Sequence, residues 1–260
     1  MPQWIAVSST THAGCHYHPR EGYRHSQGRQ VTPVLLAELP RLVAHYVIGF
    51  MPRGDGYLAV ALLGIEKDTN HYLHPDGRWL GTYVPASLRG HPFAVAPNEQ
   101  GQSVLCIDAD HLVDGTAAGE PLLDADGAPT EGVARYVRFL NECEANRQQT
   151  QTAVDALQRA GLLAPWRVEV EDAAAGASRS IDGLCRVDEQ TLNALDPTAY
   201  HALQGPPMAL AHAHLFSAHQ TGQLAERARW QARQSSAPAT TGLHGILGGA
   251  DDDTLKFDFE

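Results

Sequence analysis

The chain has 260 residues, 43% of them hydrophobic, and a net charge of −11, enough apolar material for one large core or two small ones. No run of about 18 apolar residues occurs, which excludes a membrane-spanning helix; a field of that sign repels phosphate backbones, so nucleic acid is not an expected partner. The first basic side chain is Arg20 and no secretory leader pattern precedes it, so the expectation is a cytoplasmic protein whose four scattered cysteines stay reduced.

Residues 1–30 are polar, rich in Gly and His, and carry little periodicity. Val34, Leu35, Leu39, Leu42 and Val43 form one helical stripe, which Pro40 predicts to be short or broken. Tyr46 to Phe50 reads as a strand stopped by Pro52 and the turn signal Gly54-Asp55-Gly56. Tyr57 to Ile65 is almost continuously apolar, as a buried strand would be. His71-Tyr72-Leu73 and Arg78-Trp79-Leu80 flank His74-Pro75-Asp76-Gly77, where proline and glycine favour a hairpin turn. Pro85 and Pro92 break Val84 to Ala96 into a turn and a short strand, and Ser103 to Ile107 is a further strand ended by Asp108 and Asp110.

The clearest helix runs from Thr130 to Gly161, with Val133, Val137, Leu140, Val154 and Leu157 on its apolar stripe. Thr130 suits the N-cap and Gly161 the left-handed C-terminal position, after which Pro165 forbids continuation. Arg167 to Glu171 alternates like a half-exposed strand, Ala173 to Ser180 reads as a loop, and Asp182 to Val187 as a second strand before Asp188 caps a short helix. A last helical region covers 207–233. The expected fold class is α+β: a predominantly antiparallel sheet in the N-terminal half, with a long helix and shorter C-terminal helices packed on it. Residues 1–233 would form one domain, followed over 234–260 by a flexible linker and an acidic-aromatic tail. In that tail Leu255, Phe257 and Phe259 alternate with charged residues, so the segment can dock on its own sheet, add a strand to a protein partner, or fray.

Several of these segments fall in a familiar order. Tyr46-Val47-Ile48-Gly49-Phe50, Asp76-Gly77-Arg78-Trp79, Tyr83-Val84-Pro85-Ala86, Leu88-Arg89-Gly90-His91-Pro92-Phe93, Leu105-Cys106-Ile107-Asp108 and Gly183-Leu184-Cys185-Arg186-Val187-Asp188-Glu189 together resemble the SapC family over roughly residues 12–220. That family usually places two basic residues and an aromatic before the Pro-Phe pair, and only Arg89 matches here. The resemblance implies bacterial surface-layer or outer-membrane-receptor physiology, hence an accessory or binding protein, and supplies no catalytic residues.

Fourteen histidines raise the question of a metal, and His12, Cys15, His16 and His18 form the first candidate cluster, although their spacing matches no established zinc motif. His212, His214 and His219 form a second, in which 212 and 219 lie nearly in line but about 10 Å apart and 214 points elsewhere. Asp124 and Asp126 before Gly127 read as a turn, because no calcium loop follows. Arg227, Arg229 and Arg233 with Trp230 read as a solvated helix face. Trp79, Tyr83 and Phe93 with Arg89 are candidates for a ligand pocket, since such pockets are apolar with few polar groups. No phosphate-binding loop or nucleophile elbow occurs. The expected function is therefore an accessory or binding protein with a protein, peptide or small-molecule partner; the alternative is a metal-dependent enzyme acting on a peptide or small molecule in an uptake-linked pathway, and no cofactor is specified.

Overall fold

A computed structural model describes residues 3–98, 100–113, 119–172 and 177–236. In chain order the elements are β1 (Trp4–Ala6), β2 (His16–Tyr17), β3 (Val31–Pro33), α1 (Leu39–Leu42), β4 (Ile48–Arg53), β5 (Gly56–Leu62), α2 (Ala86–Arg89), β6 (Phe93–Pro97), β7 (Ser103–Asp108), β8 (Leu112–Val113) and β9 (Glu120–Pro121). There follow α3 (Glu131–Arg159), β10 (Leu163–Asp172), β11 (Ala177–Val187), α4 (Glu189–Asn193), α5 (Pro197–Ala202), α6 (Pro206–Ser217) and α7 (Thr221–Ser236). Strands dominate the N-terminal half and helices the C-terminal half, the α+β arrangement expected from the sequence.

All strand pairs are antiparallel. The largest sheet has the order β10-β11-β4-β5-β3; a second runs β1-β7-β6, and a small one β8-β2-β9. The β4–β5 hairpin closes through Gly54-Asp55, with Gly54 at φ +57, which an L side chain adopts only with strain. Pro52 does not stop β4 as expected. It pairs with Tyr57, while β4 meets β11 only at Phe50, so the proline leaves no amide owing on that side.

The main core packs the five-stranded sheet against α1, α6, α7 and the second half of α3, around Leu42, Ile48, Phe50, Leu62, Leu157 and Leu210. A smaller core of Tyr17, Phe93, Ile107, Leu122, Leu123 and Val133 lies under β6, β7 and the first turns of α3. α3 thus serves both cores. It ends at Gly161 (φ +68), where the Gly161 amide donates to Gln158 and the Leu162 amide to Leu157, the paired bonds of a Schellman stop.

Other expectations need correction. The Thr130 hydroxyl caps no amide of α3 but donates to the Pro121 carbonyl at 2.9 Å, tying the helix start to β9. The segment after Pro85 winds into α2 instead of a simple turn, because Glu38 accepts the Ala86 amide at 2.8 Å. β11 begins at Ala177, inside the expected loop, since β10 offers it partners as far as Asp172. The last helical region breaks at 218–220 into α6 and α7. The residues around Asp76-Gly77 do form a turn, with Gly77 donating to His74, but its flanks share only the bridge Leu73–Trp79. α7 reaches Ser236, so the expected linker starts within its last turn; the tail residues Leu255, Phe257 and Phe259 lie outside the described residues.

Candidate functional site

At the end of β7 the alternation that buries Ile107 in the smaller core turns Asp108 to the other face, where it is 4% exposed. The Asp108 amide donates to the Pro92 carbonyl at 2.9 Å, which brings the preceding residue, His91, alongside. His91 Nε2 lies 2.9 Å from Asp108 Oδ2. A carboxylate only accepts, so Nε2 carries the proton and the neutral ring keeps its lone pair on Nδ1. His25, on the short helical turn Arg24–Ser26, stacks on His91 with ring centres 4.0 Å apart and planes 5° from parallel. His111 meets His91 edge-on at 4.7 Å and donates from Nδ1 to the His18 carbonyl.

These rings form one wall of a cleft of about 770 Å³, completed by Arg20, Glu21, Arg24, Asp110 and the turn at Asp76-Gly77. The two sides are joined where the Tyr23 amide donates to the Gly77 carbonyl at 2.8 Å. Gly22 is needed there: a Cβ on it would lie 2.6 Å from that carbonyl oxygen. Asp76 stays ionised, held at about 2 by the Arg78 amide and, to a lesser degree, by the Arg78 guanidinium and His74.

Burial pushes His25 down to about 3, aided by the neighbouring His91 and Arg29, and its bond to the Leu88 backbone offsets this only partly. Burial also lowers His91, against the raising effect of Asp108. Both rings are therefore neutral at pH 7 and present lone pairs. Among the described residues seven buried side-chain polar atoms lack a partner, and four of them belong to this cleft: Arg20 Nε, His25 Nε2, His91 Nδ1 and Asp108 Oδ1. Buried polar atoms are nearly always satisfied, so such a concentration marks a place where ordered water or a ligand can supply the missing bonds. Three of the four are acceptors and one is a donor. No serine, threonine or cysteine lines the cleft, so its described walls carry no hydroxyl or thiol nucleophile.

Of the pocket residues expected from the sequence, Trp79, Tyr83 and Arg89 touch one another in a chain, while Phe93 sits apart in the smaller core. Trp79 donates to Tyr46 and to the Tyr83 carbonyl and stacks on Tyr72. Tyr83 donates to the buried Glu38 and receives Arg89 at 3.2 Å. Phe93 is core, packed edge-on to Tyr17. Of the first histidine cluster, His12 is buried and accepts the Ser8 amide, Cys15 is buried, His16 lies by the Gly14 carbonyl, and His18 reaches the cleft. No group of three or more His, Cys, Asp or Glu among the described residues could hold a metal. His212, His214 and His219 border a second cavity of about 660 Å³; His214 is buried with its Nδ1 donating to the Ile48 carbonyl, whereas His212 donates to the Met208 carbonyl of its own helix. Arg227 is not part of a solvated face: it lies 4.3 Å over Tyr72 and donates to Leu80.

The sequence singled out His91 only as a departure from the family pattern and Asp108 only as a strand-ending acid. His25, His91 and Asp108 come from three separate segments, so no local spacing announces them; the surplus of histidines was the one signal. No curated protein and no solved structure matches the chain. The family model described as SapC matches residues 7–224 of the 260, so the chain belongs to the SapC family.

Proposed function

We propose that the protein is a binding protein for a small polar ligand or peptide end, held in the His25–His91–Asp108 cleft, and that it serves bacterial surface-layer export or outer-membrane-receptor uptake. The observation that carries the binding reading is that four unpartnered buried polar atoms belong to residues lining one cavity. Three acceptors in the company of an ionised Asp76 call for N–H or O–H donors, as an amine, amide or polyol provides, while Arg20 answers one acceptor on the ligand. The physiological setting rests on family membership.

A thermal-shift comparison with amino acids, dipeptides, amino sugars and polyols tests it. A ligand at a hundred times its Kd stabilises by about 2.7 kcal/mol, a rise of roughly 5–10 °C for a domain of this size. We expect one of these classes to stabilise the protein and Asp108→Asn to remove most of the shift. No shift with any class, or equal shifts in the variant, would sink the reading.

A second reading is favoured by one feature. Asp108 orients His91 with its lone pair toward the cleft, as a carboxylate orients a general base. On that reading the protein is an enzyme that takes a proton from a peptide or small molecule. Recovery of the bound ligand chemically unchanged after prolonged incubation supports binding; its conversion, lost in His91→Gln, supports the enzyme.

A further inference from the structure

Beside the cleft lies a smaller pocket of about 270 Å³ lined by Arg20, Arg89, Arg135, Tyr136 and Phe139. Three arginine side chains line it in a chain whose net charge is −11, and no acidic residue does. Among the described residues neither Arg20 nor Arg89 makes an ion pair, and the nearest carboxylate oxygen to Arg135 is Glu131 Oε1 at 3.9 Å. The Nε atoms of Arg20 and Arg89 are buried without an acceptor. Glu38 does not satisfy Arg89 directly: its oxygens take the Leu35 and Ala86 amides and the Tyr83 hydroxyl, and Arg89 reaches only that hydroxyl.

We infer that this pocket binds the oxyanion of an organic acid, a carboxylate or a phosphate ester, with the acid's apolar part against Phe139 and Tyr136. A guanidinium fork matches the paired oxygens of either group, and a buried N–H without an acceptor is stabilised by an anion more than by water. The floor chooses an organic acid over an inorganic ion. Arg89 already lies 4.9 Å over the Phe139 ring, and its Nε–H still lacks an acceptor. Arg20 lines both this pocket and the larger cleft, so a ligand seated in the cleft can extend its acidic group here.

The test is titration of the full chain with benzoate, phenyl phosphate and inorganic phosphate, read by calorimetry and by the NMR signals of the arginine Nε–H groups. We expect one or both aromatic acids to bind and to shift the Arg20 and Arg89 signals, with inorganic phosphate weaker. The preferred acid tells a carboxylate ligand from a phosphate ester. Arg89→Lys keeps the charge but loses the fork and should weaken binding at least about tenfold. Arg135→Gln, on an exposed side chain that the fold does not need, should also weaken it. No binding of either aromatic acid, inorganic phosphate binding as well as they do, or affinities unchanged in both variants would overturn the inference. Arg89 does not line the larger cleft, so its Nε–H signal reports on this pocket whatever the fate of the cleft reading.

Discussion

His214 is 1% exposed, its Nδ1–H is committed to the Ile48 carbonyl, and burial pushes it down to about 4 from an ordinary 6.5. His25 is held at about 3 for the same first reason. Above pH 6.5 neither folded nor unfolded chain protonates these rings, and the stability they allow is complete. As pH falls below 6.5 the unfolded chain takes up protons that the folded one refuses, so stability declines until about pH 4 for His214 and further for His25. One such proton corresponds to a slope of about 1.4 kcal/mol per pH unit. His71 and His91 are shifted the same way and add to it. Denaturant unfolding at a series of pH values should show this decline, and His214→Asn should flatten it between pH 6.5 and 4; an unchanged slope would refute the buried neutral ring. Little of this was legible beforehand. The number of histidines stood in the sequence, but which of them lose water depends on the packing of α6 on β4, a contact between distant segments.

Within α3 the two halves differ. Leu157 is fully buried between the five-stranded sheet and α6, whereas Leu140 is half-buried over Gly90 and Phe93. Leu157→Ala should cost about 2–5 kcal/mol. Leu140→Ala should cost roughly half as much or less, because part of its surface is already wet. Chemical denaturation of both variants checks the order, and a larger loss at Leu140 would contradict it. The apolar stripe itself could be read from the sequence because its period is a property of the helix alone. How deep each stripe residue sits could not, since that depends on what lies opposite. The same distinction explains Pro52, whose place in β4 is tolerated only because β11 has already diverged, and Thr130, whose hydroxyl found the Pro121 carbonyl before it found an amide. The longer strands, the turns and the Gly161 stop are local events and were legible, whereas the short strands β1, β2, β3, β8 and β9 were not, having too few residues to show a period. The cleft is an encounter between loops and was not.

At the scale of the whole molecule the question is whether the two hydrophobic cores unfold together. The smaller one is modest, six buried residues under β6 and β7, too little apolar surface to outlast its neighbour alone. α3 joins them, contributing Val133 to the smaller core and Ala153, Val154 and Leu157 to the larger. Breaking either core exposes one face of that helix, and helices in water draw most of their stability from such packing. The cleft adds a second seam, since the Tyr23–Gly77 bond and the His25–His91 stack tie its walls together. We therefore expect one cooperative transition across residues 1–233. Two buried thiols report on it separately: Cys106 on β7 beside the smaller core, and Cys185 on β11 in the larger. In a denaturant series with pulsed thiol labelling and mass spectrometry, both should become reactive at the same midpoint, coincident with loss of helical circular dichroism. Val133→Ala removes side-chain volume only from the smaller core, yet it should lower both midpoints equally. If Cys106 reacts at a lower denaturant concentration than Cys185, the smaller core opens by itself, and the His91–Asp108 wall of the cleft, just before β6 and at the end of β7, would open with it while the larger core stays folded.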